Sequence, residues 1–133
     1  MVMIASDLLG QILRAAAASP DAEVCGLLFG EDGAISAVQP CRNVAAEPVR
    51  RFEIDPVALL AAHRAIRAGG PPIVGHYHSH PTGIAVPSSC DAASAVPDGS
   101  LWLIAAGGEV RAWRAVADGA VEGRFEAVSL LVT

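Results

Sequence analysis

The sequence predicts a mixed α/β fold: one curved, mostly antiparallel sheet with about three helices packed against it. Two observations lead to this. Short apolar runs are closed by Gly-, Pro- and Asp-rich turns, and they occur in consecutive groups rather than in strict alternation with helices. Two longer segments carry apolar residues at helical spacing.

Along the chain, Ile4 to Ala18 has Ile4, Leu8, Leu9, Ile12 and Leu13 on one helical face, with Ser6-Asp7 as a start signal and Ser19-Pro20 as a stop. Val24 to Phe29 is a brief apolar strand ending at Gly30-Glu31-Asp32-Gly33, a hairpin-type turn, and Ala34 to Pro40 is its partner. Arg51 to Ile54 reads as one more short strand. Asp55-Pro56 opens the second helix, because Asp can cap and Pro suits the first helical position. That helix runs to Ala68 and stops at Gly69-Gly70-Pro71-Pro72. Ile73 to His78 is expected as a central strand, and Ser88 opens a short helix ending before Pro97. Leu101 to Ala106, Val110 to Val116 and Val121 to Leu131 complete the set as three strands, joined by Gly107-Gly108 and Asp118-Gly119.

The 133 residues fall within the range of one domain, and no repeat, low-complexity tract or long linker divides them, so a single domain over 1–133 is expected. A chain of this length can bury a proper core without disulfide staples. Net charge is −5, with nine Arg, no Lys and no basic block, which argues against nucleic acid or an anionic membrane surface as partner. The stretch from Met1 to Pro20 carries Asp7 and Arg14 and has no positive leader region. The longest uncharged stretch, Ala68 to Cys90, is crowded with Pro, Gly and His and does not read as a membrane span. Cys25, Cys41 and Cys90, odd in number and widely spaced, fit reduced thiols, and a cytoplasmic protein is expected. The apolar tail from Ala127 to Val132 leaves two options open: a strand packed internally, or an edge that pairs with a second copy in a homodimer.

The chemistry concentrates in Gly75-His76-Tyr77-His78-Ser79-His80-Pro81. Side chains two apart on a strand share a face, so His78 and His80 can converge on one point. Eleven residues after His80 comes Asp91, within Ser88-Ser89-Cys90-Asp91. Two imidazoles and a carboxylate make a sound ligand set for catalytic zinc, with the fourth tetrahedral position left for water. Each part has a plainer explanation. A histidine pair can be a hydrogen-bonded surface feature, and Ser88-x-x-Asp91 is a helix capping box. A helix start is also a firm base for a ligand, so cap and ligand are compatible.

His78-x-His80, seven residues, Ser88, two residues and Asp91 resemble, position for position, the metal motif of the JAMM (MPN+) metalloprotease family, the JAB type. Glu23, in Glu23-Val24-Cys25-Gly26-Leu27-Leu28, resembles the glutamate that this family carries on an early strand. Phe52-Glu53-Ile54-Asp55-Pro56 before the second helix is similar to the short prokaryotic members. The resemblance runs from about Asp21 to Val116. It implies a cytidine-deaminase-like sandwich, one Zn2+ held by His78, His80 and Asp91, and hydrolysis of an amide bond. Glu23 would carry the proton from water to the leaving amine, and Ser88 would donate to the oxyanion. An apolar setting such as that of Glu23 raises a carboxyl pKa towards neutrality, which suits the task.

The resemblance also bounds the substrate. The interval between His80 and Ser88 has the family's minimal spacing, and Val38 to Phe52 leaves little room for an insertion. The compact type implies a ubiquitin-like or sulfur-carrier protein ending in Gly-Gly, cut after that tail to release cysteine or another amine. Strand addition of the tail beside the zinc is the expected mode. The alternatives are a peptidase of cell-wall or phage-tail type and a non-catalytic MPN scaffold. Scaffolds have lost ligands, whereas all five positions are kept here. A nucleobase deaminase is excluded, because no Pro-Cys-x-x-Cys follows the histidines.

Overall fold

The computed structural model describes residues 1–31 and 33–133. Asp32, within the predicted turn at 30–33, lies outside the described residues. The elements in order are β1 (Val2–Ile4), α1 (Ser6–Ala17), β2 (Cys25–Glu31), β3 (Ala34–Cys41), α2 (Pro56–Arg67), β4 (Ile73–Ser79), α3 (Ser89–Ser94), β5 (Leu101–Ala106), β6 (Glu109–Gly119), β7 (Gly123–Val128) and β8 (Leu130–Val132). The strands form one sheet in the order β7-β6-β5-β4-β2-β3-β1-β8. Pairing is antiparallel except for β4 with β5 and for β1 with both β3 and β8. The two ends of that order, β7 and β8, are consecutive in the chain with only Ser129 between them. The sheet therefore curls until it nearly closes, which brings its two edge strands, β7 and β8, together at one corner. The α/β class, the curved mostly antiparallel sheet and the three helices agree with the sequence-based expectation.

Each sheet face has its own core, and β5 shows why. Its six residues, Leu-Trp-Leu-Ile-Ala-Ala, are all buried. Leu101, Leu103 and Ala105 pack with Val2, Ile4, Ile12, Leu28 and Tyr77 on the face covered by α1. Trp102, Ile104 and Ala106 face the other way, with Trp113, Phe125 and Ala85. The period-2 alternation thus sorts large side chains onto both sides of a central strand.

Five details differ from the sequence-based expectation, the first being that Asp118 and Gly119, expected as a turn, are the last two residues of β6. α1 begins at Ser6, as the start signal indicated, but Ile4, expected on its apolar face, belongs to β1; Ala5 occupies the cap position without a side-chain bond, and Asp7 sits in the first turn, where a carboxylate complements the helix dipole. β1 was not expected; three residues are too few to show a pattern. Arg51 to Ile54 contributes only an isolated bridge between Asn43 and Ile54. Asn43 takes up the Arg51 carbonyl and the Glu53 amide that a longer ladder would have used. The stretch expected as one strand from Val121 to Leu131 breaks at Ser129, since β7 pairs with β6 while β8 pairs with β1. The apolar tail is therefore taken up internally on one side. By contrast, α2 opens as anticipated, with Asp55 accepting from Val57 N–H at 3.0 Å and Pro56 in the first turn.

The β2–β4 contact depends on one glycine. A Cβ at Gly26 would meet the fully buried ring of Tyr77 and the carbonyl oxygen of Gln39. Gly26→Ala is expected to cost about 2–3 kcal/mol through overpacking, read as a lowered denaturation midpoint with an unchanged m-value.

Candidate active site

The site grows from the end of β4. On this strand His76 and His78 project to the face that holds Trp102, and β4 is paired on both sides, by β2 and β5. His78 is fully buried, and its ring stacks on Phe52 at 4.3 Å between centroids and 20° between planes. Ser79 turns to the opposite face and seals the strand end. Its Oγ accepts from Val24 N–H at 2.9 Å and its own N–H donates to the Val24 carbonyl at 3.1 Å. That pair of bonds sets Glu23, the residue before Val24, beside the histidines.

Past the strand end, His80 donates from Nδ1 to the carbonyl of Ile84 at 2.8 Å. In the neutral ring this leaves a bare lone pair on Nε2. The loop from Pro81 to Pro87 is pinned again where Trp113 Nε1 donates to the Ala85 carbonyl at 3.1 Å, a buried bond. It then enters α3 through a capping box. Ser88 Oγ accepts from Asp91 N–H at 3.1 Å, and Ser88 N–H donates to Asp91 Oδ2 at 2.9 Å. Cap and convergence with the histidines coexist at Asp91, as the spacing suggested.

The result is one focus. His78 Nε2 and His80 Nε2 lie 3.0 Å apart, with Asp91 Oδ1 3.1 Å from the first and Oδ2 3.1 Å from the second. Two imidazole nitrogens aimed at each other and at one carboxylate cannot all be satisfied by the protons available to neutral rings. A cation between them satisfies all three. One donor atom from each residue lies within 4.8 Å of the others, so His78, His80 and Asp91 are placed to bind a metal ion. Two imidazoles, one carboxylate and a remaining open direction match the donor set of catalytic zinc. The His80–Ile84 bond is the outer contact that orients a metal-binding imidazole.

Without the ion, the electrostatics record the crowding. Burial pulls His78 below its usual pKa, and Asp91 only partly offsets this. Burial also opposes charge on His80, but bonds to Asp91 and the Ile84 carbonyl outweigh it and raise the pKa. Asp91 is desolvated as well, yet the two imidazoles and the Ser88 amide hold it far below the usual carboxylate range. Glu23 differs from all of these. It is 7% exposed, its Oε1 has no hydrogen-bond partner among the described residues, and burial pushes its pKa up to about 7, with His80 opposing and Asp91 reinforcing the shift.

The structure thus brings Glu23, His78, His80, Ser88 and Asp91 into one neighbourhood. His76 belongs to the packed face: its ring meets Trp102 at 4.4 Å and Phe52 at 5.3 Å, away from the focus. Phe52 enters the sequence reading only as part of the segment before the second helix, with no site role, and Asn43 and Trp113 are not singled out, since an isolated aromatic or amide carries no spacing signal. A groove of about 770 Å3 opens beside the histidine strand between α2 and the sheet, with Leu27, Phe52, Leu59, His76 and Trp102 among its walls. The three cysteines are free, and burial pushes the Cys25 thiol up to about 12. Among the described residues, no helix is long and apolar enough to cross a membrane.

Comparison with known proteins decides the family. The family described as prokaryotic homologs of the JAB domain matches residues 5–116. The chain belongs to the prokaryotic JAB family. It is 41% identical over 99 residues to a desampylase of Haloferax volcanii, covering 73% of this chain and 71% of that one. It is 40% identical over 57 residues to a Thermus thermophilus protease described as cleaving TtuB-protein conjugates, covering 43% of this chain and 38% of that one. A solution structure of a Desulfitobacterium hafniense protein superposes with a TM-score of 0.83 at 25% identity, covering 100% of this chain and 93% of that one. A JAB1/MPN domain protein from Archaeoglobus fulgidus shares the fold, with a TM-score of 0.61 at 20% identity over 100% of this chain and 97% of that one. This JAB-family chain is a JAMM-type hydrolase.

Proposed function

We propose that residues 1–133 form a single zinc metallopeptidase domain. It hydrolyses the amide or isopeptide bond that follows the C-terminal Gly-Gly of a ubiquitin-like or sulfur-carrier protein in the cytoplasm. The observation that carries the reading is the convergence of His78, His80 and Asp91 beside a buried carboxylate, Glu23, that has an unpartnered oxygen. The names of the desampylase and of the TtuB-conjugate protease support the substrate class.

His78, His80 and Asp91 would hold one zinc ion, which when bound would supply Lewis acidity and lower the pKa of a water. Glu23 accepts a proton from the attacking water. Its desolvated setting makes the protonated form accessible near neutrality, so the proton is kept and then delivered to the leaving nitrogen. The Ser88 Oγ lone pair is used by the Asp91 amide, and its hydroxyl hydrogen is free to donate to the oxygen of the scissile carbonyl as negative charge develops there. β4 is paired on both sides, so an extended tail cannot add to it as a strand. Strand addition of the tail therefore uses a segment other than β4, beside the open groove around Phe52 and Trp102.

The test uses zinc-loaded protein and a carrier joined through Gly-Gly either to cysteine or to the ε-amine of a lysine peptide. Release of free carrier by wild type is expected; no cleavage of either conjugate, or equal cleavage by Glu23→Ala, would sink the proposal. Ser88→Ala is expected to lower kcat by about 100-fold with KM little changed. The lost cap should cost a further ~1 kcal/mol of stability, measured on the same preparation.

A further inference from the structure

Both backbone polar groups of Glu23 are held by the segment between β3 and α2. Its N–H donates to the Pro48 carbonyl at 2.7 Å, and its carbonyl accepts from Asn43 Nδ2 at 3.0 Å. Asn43 has other partners as well. Nδ2 also donates to the Arg51 carbonyl at 3.0 Å, while Oδ1 accepts from the amides of Ala45 and Glu53, each at 3.0 Å. A carboxamide has two donor hydrogens and two acceptor lone pairs, and here all four are in use. Only the Ala45 bond is the local turn contact that asparagines commonly make. The other three reach residues far away in sequence. Two of these, Arg51 and Glu53, bracket Phe52, the residue stacked on the His78 ring.

We infer that Asn43 is a positioning residue for Glu23, clamping its backbone to the segment that carries Phe52 and so fixing the carboxylate relative to the histidines. The inference rests on the proposed role of Glu23 as proton carrier. Glu23 precedes the first residue of β2, so its own amide and carbonyl make no ladder bond, and its ties to β4 run only through the neighbouring Val24. A side chain that must both take and deliver a proton needs its backbone set to within a fraction of an ångström, because misplacement by 1 Å costs roughly 100-fold in rate. A fully bonded carboxamide supplies that constraint where the strand has not yet begun. The same amide sets the backbone on both sides of Phe52, so the acid/base group and the His78 ring are referred to one anchor.

Asn43→Asp separates this role from loop folding. It keeps an acceptor for the Ala45 and Glu53 amides, while the replaced nitrogen no longer donates to Glu23 or Arg51. The measurements are zinc content, melting temperature, and kcat and KM on the carrier–Gly-Gly conjugate. They are made in wild-type, Glu23→Ala and Ser88→Ala backgrounds, the slow variants at high enzyme concentration. Asn43→Asp is expected to remain folded with one zinc per chain and to lose roughly 10- to 100-fold in kcat. KM should stay within about twofold. The loss should persist in the Ser88→Ala background and shrink to about twofold or less in Glu23→Ala, because the effect passes through Glu23. An equal loss in the Glu23→Ala background, a wild-type kcat, or loss of zinc would each overturn the inference. Asn43→Ser, which keeps the local turn to Ala45, is held to the same criteria if the aspartate variant does not fold. Wild-type activity in Glu23→Ala alone is a different result: it removes the proposed role of Glu23 whatever the Asn43 variants do.

Discussion

Glu23→Gln is expected to reduce kcat by about a thousandfold while leaving zinc content and substrate KM close to wild type. Glutamine keeps the shape of the side chain and can still donate a hydrogen bond, but it cannot accept and return a proton. Among the described residues the Glu23 side chain makes no hydrogen bond to His78, His80 or Asp91, so removing its charge leaves them in place. The pH profile provides a second readout. The base form is the carboxylate, so activity falls as pH drops through the Glu23 pKa. That value is about 7 in the metal-free protein, and a bound dication draws it lower. Over the pH range in which zinc content stays constant, the wild-type enzyme should show an acidic limb below neutrality, and the glutamine variant should lack it.

The same residue makes a prediction about stability with the opposite sign. Burial raises Glu23 from 4.5 to about 7 in the folded, metal-free state. A raised carboxyl contributes stability that is fully present below 4.5 and is lost as pH rises through about 7. At pH about 8 the folded chain carries a desolvated carboxylate with an unpartnered oxygen. Metal-free Glu23→Gln should then be more stable than wild type by about 2 kcal/mol, with little difference at pH about 4. Paired melts at the two pH values check this. On the proposed role of Glu23, a carboxylate that destabilises its own fold is the usual trade between function and stability.

How much of this was legible in the sequence varies from element to element, for physical reasons. The helices and central strands follow from period: Leu101 to Ala106 is apolar on both faces, and Asp55-Pro56 can hardly be anything but a helix start. His78 and His80 share a face because strands alternate, and the Ser88–Asp91 spacing is that of a cap; both are local rules. What was not legible depends on the curl of the sheet. Nothing in Val121 to Leu131 shows that its two halves pair at opposite ends of one sheet, because that depends on how six other strands close. Glu23 reads locally as a strand end; the family resemblance singles it out and its apolar neighbours suggest a raised pKa, but the extent of the shift depends on tertiary burial. Asn43 looks like a turn former; its three distant partners exist only once β2 and the Phe52 segment lie side by side. Trp113 reads as core, and the structure adds that its indole N–H also secures the loop between His80 and Ser88.

Removal of the metal should give the largest change in stability. An ion that binds only the folded chain stabilises it by about 4 kcal/mol when free zinc is a thousand times Kd. In a domain of this size that corresponds to a fall of roughly 10–15 °C in melting temperature on chelation, together with loss of turnover. Both should be restored by added zinc. Acid should act in the same direction, because all three donors must be deprotonated to bind. Asp91 allows the two roles of one side chain to be separated. Asp91→Ala loses both the cap and the ligand, so its melting temperature should lie below that of chelated wild type and should not respond to zinc. In Asp91→Asn an amide oxygen can still accept from Ser88 N–H, so the capping box survives, but the charge that draws His78 and His80 to the focus is gone. The asparagine variant should therefore melt close to chelated wild type, bind little zinc and turn over no conjugate. Stoichiometric zinc in that variant would remove Asp91 from the ligand set and leave it as a helix cap alone.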